Sequence, residues 1–67
     1  MDRLTTERAT IILNKAGAQS VKLRTRGFGR FMEMLAFFVH RGIGHVWRIR
    51  GDGYVQNFER DVKRELA

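Results

Sequence analysis

Two runs of the chain, Val21 to Arg26 and His45 to Arg50, alternate apolar and charged side chains. In the first, Val21, Leu23 and Thr25 share one side while Lys22, Arg24 and Arg26 share the other; in the second, Trp47 and Ile49 oppose Val46, Arg48 and Arg50. Successive side chains of a strand point to opposite faces, so this alternation predicts two half-buried strands. Any fold of the chain must bury one face of each run and leave a row of cations on the other. Each run closes on Arg-Gly-x-Gly. At a spacing of 24 residues, KLRTRGFG (22 to 29) and VWRIRGDG (46 to 53) share Arg, Arg, Gly and Gly, with an apolar residue at 23 and 47. Together with Arg41-Gly42-Ile43-Gly44, these units hold six of the seven glycines.

The remaining segments read as helices. Over Asp2 to Ala16, Thr5 or Thr6 can cap the start, Glu7 suits the first turn, and Ala9, Ile12, Leu13 and Ala16 form an apolar stripe ending at Gly17. Phe28 to Arg41 is rich in good helix formers, and Phe28, Phe31, Met32, Leu35 and Val39 share one helical face. Phe37 then falls on the opposite side among Arg30, Glu33, His40 and Arg41, where a large aromatic reads either as a self-association or partner contact or as part of a segment buried nearly all round. In the tail, Val55, Phe58, Val62 and Leu66 share one face of a helix starting near Tyr54 or Asn57. A competing reading makes Asp52-Gly53 a hairpin turn and Tyr54 to Phe58 a third strand before a shorter helix. The expected architecture is one small α+β domain over residues 1–67, of order α-β-α-β-α with a short sheet.

Sixty-seven residues bury roughly 60% of the unfolded chain's accessible surface, so a core of this size needs reinforcement. The chain has no cysteine and therefore no disulfide, which leaves homo-oligomerisation as the expected means. No apolar run approaches the ~18 residues of a membrane span, and no signal peptide opens the chain. A soluble, intracellular protein with no membrane partner is expected, in the cytoplasm, on a nucleoid or in a host cell.

The net charge of +6 is concentrated centrally. Residues 21 to 50 carry seven cations against one carboxylate, and ten of the thirteen cations of the chain are arginine. Arginine favours planar, bidentate contact with phosphate or carboxylate. The expected partner is nucleic acid, DNA or RNA, gripped by Lys22, Arg24, Arg26, Arg48 and Arg50 with Arg30 and Arg41 peripheral. Glycine turns that open helices expose backbone N–H groups to anions, which marks Gly27, Gly29, Gly51 and Gly53 as anion-binding turns. With parallel strands joined by a helical crossover, Arg26 and Arg50 would flank one phosphate-binding rim. The second reading is a compact inhibitor or adaptor, of the kind viruses and mobile elements encode, docking on an acidic protein with Phe37 or Trp47 as anchor.

Two segments resemble known nucleic-acid-binding families. RGFGRFMEM (26 to 34) resembles the RNP1 segment of RNA-recognition motifs, in which Arg or Lys, Gly, an aromatic and Gly precede an alternating stretch. Reading Gly27-Phe28-Gly29 as a hairpin turn makes Arg30 to Val39 a strand and the chain α-β-β-β-α. That order resembles a small double-stranded-RNA-binding domain, which implies recognition by shape and phosphate contacts.

Catalysis has little to work with. Ser20 is the sole serine, and His40 and His45 lie five residues apart without a zinc-site spacing. RGD at 50 to 52 is a three-residue coincidence with an integrin-binding tripeptide. A non-enzymatic protein without metal or cofactor is expected.

Overall fold

In the computed structural model, which describes residues 2–28, 32–50 and 53–66, the order is α1 (Thr6–Lys15), β1 (Gln19–Arg26), β2 (Glu33–His40), β3 (Ile43–Arg50) and α2 (Val55–Leu66). The α-β-β-β-α arrangement is thus the observed one, and α-β-α-β-α is not. The segment expected as a helix over Phe28 to Arg41 contains the central strand. Both faces of β2 are apolar: Met34, Ala36 and Phe38 are buried on one, while Leu35, Phe37 and Val39 alternate with them on the other. Such a run shows no period of two, which is why it reads as a helix from composition.

The sheet order is β1-β2-β3, with both neighbouring pairs antiparallel. β1 and β3 are not paired through a helical crossover; β2 lies between them and is antiparallel to both. Because both outer strands oppose β2, they still point the same way, and their C-terminal ends lie at one edge. The 24-residue spacing becomes a physical register. Lys22 and Val46 flank Phe37, Arg24 and Arg48 flank Leu35, and Arg26 and Arg50 flank Glu33.

α1 begins at Thr5, whose side chain accepts the Arg8 N–H at 3.2 Å. It ends in a Schellman motif: the Ala18 N–H donates to the Leu13 carbonyl and the Gly17 N–H to that of Asn14, with Gly17 at φ 96. α2 starts at Val55, which removes the alternative of a strand through Tyr54 to Phe58. Its entry is tied to the N-terminal segment, since the Val55 N–H donates to the Asp2 carbonyl and the Leu4 N–H to that of Gly53. Both helices cover the same face of the sheet. Ala9, Leu13, Met34, Ala36, Phe38, Val55, Phe58, Val62 and Leu66 form the core, joined by Leu4 and Ala18. Val21, Leu23, Trp47 and Ile49 close it from the outer strands.

Candidate nucleic-acid interface

With both helices on one side, the outward positions of three strands form an open face. β1 contributes Lys22, Arg24 and Arg26, β3 contributes Arg48 and Arg50, and all five are exposed. Between them runs an apolar line of Leu35, Phe37 and Val39 on β2, extended by Val46 of β3, which is 63% exposed. Neighbouring strands lie about 4.8 Å apart, so the two cationic rows are separated by roughly 10 Å. The five cations expected at the site are therefore brought together, in two rows with an apolar strip between.

Glu33 sits between the rows. Arg26 Nε donates to its Oε1, and Arg48 Nη2 donates to its Oε2 at 3.1 Å. These two bonds, that of Arg26 foremost, hold the Glu33 carboxyl below its ordinary value. Its side chain is 21% exposed against 64% for Arg26 and 71% for Arg48, so the arginines keep solvent-facing surface while paired.

Arg41 is removed from this cluster. With Gly42 it forms the two-residue turn between His40 and Ile43, at the end of the sheet opposite Arg26 and Arg50. Arg30, Gly29 and Gly51 lie outside the described residues. The strand-to-helix anion turn expected after Arg26 is not formed, because a strand follows Gly27. At the second turn the Gly53 N–H is taken by the Arg50 carbonyl at 3.0 Å, and the adjacent N–H of Val55 by Asp2. Neither of those two donors is left for a phosphate.

Phe37 lies on the open face, 37% exposed, in the row between Lys22 and Val46. Trp47 points the other way. Its ring meets Phe38 edge to face at 5.1 Å and Phe58 at 6.3 Å, and it borders a groove between β3 and α2 together with Ile49, Tyr54 and Phe58. Glu33, Leu35 and Val39 were missed as site positions because a helical reading of 28 to 41 assigns Leu35 and Val39 to a buried stripe and sets Glu33 on the opposite side. The signal that finds them is the 24-residue spacing, once a strand is placed between its two halves.

His40 and His45 have ring centroids 6.3 Å apart, and no group of three metal-ligating side chains occurs among the described residues. No described helix is long and apolar enough to cross a membrane. No family model, curated protein or solved structure matches the chain.

Proposed function

We propose that the protein binds nucleic acid through the open face of its sheet, without catalysing a reaction on it. The supporting observation is the convergence of Lys22, Arg24, Arg26, Arg48 and Arg50 on one face that also carries a single acidic side chain, Glu33, among the described residues. Two cationic rows with guanidinium groups in solvent suit a phosphate backbone, whose binding releases counterions in proportion to the charges neutralised. Apart from Glu33, the residues between the rows are apolar, and none of them offers an amide side chain for reading base edges, so affinity is expected to depend on salt more than on sequence.

The test is a fluorescence-anisotropy titration with short labelled oligonucleotides at several salt concentrations, comparing wild type with the Arg24→Gln/Arg48→Gln double variant. Loss of two phosphate contacts should weaken binding to every sequence and flatten the slope of log affinity against log salt by about 1.4 for a single strand and about 1.8 for a duplex. An unchanged slope would remove this face from the interface. Absence of binding by the wild type at low salt would overturn the function and transfer the cationic face to an acidic protein partner.

A further inference from the structure

We infer that the ligand of this face is a single strand, with an unpaired base stacked on Phe37. The inference rests on the nucleic-acid reading above and adds to it the conformation of the ligand. It starts from the strip between the cationic rows. Phosphate contact alone requires nothing apolar there, yet every outward position of β2 after Glu33 is apolar: Leu35, Phe37 and Val39. Val46 carries the strip across to β3. Core packing does not account for the aromatic ring, because the core is on the opposite face with Met34, Ala36 and Phe38.

A duplex keeps the faces of its bases stacked on one another and presents phosphates, sugars and base edges to a protein. A single strand has base faces to offer. Binding without sequence preference combines a cationic track for the backbone with an aromatic platform, since every base has a π-face. Here Phe37 lies between Lys22 on one side and Val46 on the other, with Arg24 and Arg48 flanking the next outward position, Leu35. A backbone following the β1 row, in which Lys22 lies beside Phe37, thus places a base over the ring.

The geometry also argues against the face serving to pair two copies of the chain. Stacking it on itself would oppose five cations with five, each set offset by one carboxylate. An anionic, partly aromatic polymer complements both the charge and the strip; a peptide of acidic residues alone complements only the charge.

The experiment compares a labelled oligothymidine with duplex DNA and duplex RNA of the same length, using wild type, Phe37→Ala, Phe37→Leu and Phe37→Trp. Wild type is expected to bind the single strand at least about tenfold more tightly than either duplex, with the gap narrowing when Phe37 is truncated. Phe37→Ala should weaken single-strand binding by about fivefold to 150-fold, the range for loss of one stacked base, with the salt slope unchanged. Phe37→Leu keeps apolar bulk without a ring and should weaken it similarly; Phe37→Trp should retain it. Circular dichroism of each variant checks that the fold persists, and Phe37→Leu supplies the result if Phe37→Ala unfolds. Equal affinity for single strand and duplexes, with Phe37→Leu silent, would overturn the inference while the phosphate-binding function stood. No binding to any of the three at low salt would overturn both.

Discussion

Three non-glycine or glycine positions with positive φ show how single residues shape this sheet. Arg41 at φ 53 and Gly42 at φ 77 form the two-residue connection from β2 to β3, the geometry of a type I′ turn, which favours Asn-Gly. Arginine is a poor occupant of the first position because its Cβ crowds the backbone in the left-handed region. Arg41→Asn is therefore expected to stabilise the protein by about 0.5–1 kcal/mol, seen as a rise of a few degrees in thermal midpoint. Gly42→Ala, which meets no neighbouring atom, should lower it by about 1 kcal/mol through backbone strain alone. A fall on Arg41→Asn would mean that the Arg41 side chain contributes more than its conformation costs. Ser20, at φ 55, lies where β1 gains a residue relative to β2 between Gln19 and Lys22, a β-bulge. The bulge restores the alternation that sets Lys22, Arg24 and Arg26 on the open face, so a local kink positions one entire cationic row.

Among the elements, β2 carries the fold and was the least legible. β1 and β3 are edge strands with one charged face, and the alternation this produces makes them readable from their residues. α1 and α2 were readable because their apolar stripes recur at helical spacing and, for α1, because Thr5 and Gly17 supply recognisable ends. β2 has apolar residues on both faces and β-branching only at Val39, so neither period nor propensity marks it as a strand. Its two faces differ in what they tolerate. Ala36 is fully buried beneath the helices, and Ala36→Leu should overpack that layer at a cost of about 1–3 kcal/mol. Leu35, half-buried on the open face, has room to change. Leu35→Ala should cost less than Ala36→Leu, and thermal denaturation of the pair measures the contrast; the opposite order would mean that the open face is covered in the folded protein.

In the molecule as a whole, the buried core and the cationic face lie on opposite sides of one sheet. Helices and core occupy one side, and five cations with an apolar strip occupy the other. Glu33 moderates that second side by engaging Arg26 and Arg48, and its replacement tests the arrangement in two ways. Glu33→Gln removes the negative charge that both guanidinium groups engage, so nucleic-acid affinity should rise and its salt dependence steepen, read by the same anisotropy titration. A fall in affinity would show that Glu33 serves chiefly to orient the arginines. Because its folded pKa is lowered, Glu33 contributes stability that is present above the ordinary carboxyl value of about 4.3 and lost as pH falls through the folded value. The difference in thermal midpoint between wild type and Glu33→Gln should accordingly be present at neutral pH and close in acid.

The alternating runs, the helical stripes and the 24-residue spacing were determined by the residues themselves. A strand with one wet face and a helix with one dry stripe carry their periodicity in local side-chain chemistry. Only the tertiary structure decided that Met34 to Val39 is a strand between the two runs, that Arg26 and Arg48 share Glu33, and that Phe37 stands on the cationic face between Lys22 and Val46. Those facts depend on pairing between segments distant in the chain, where the hydrogen bonds of the sheet set the register and a residue's own neighbours in sequence do not.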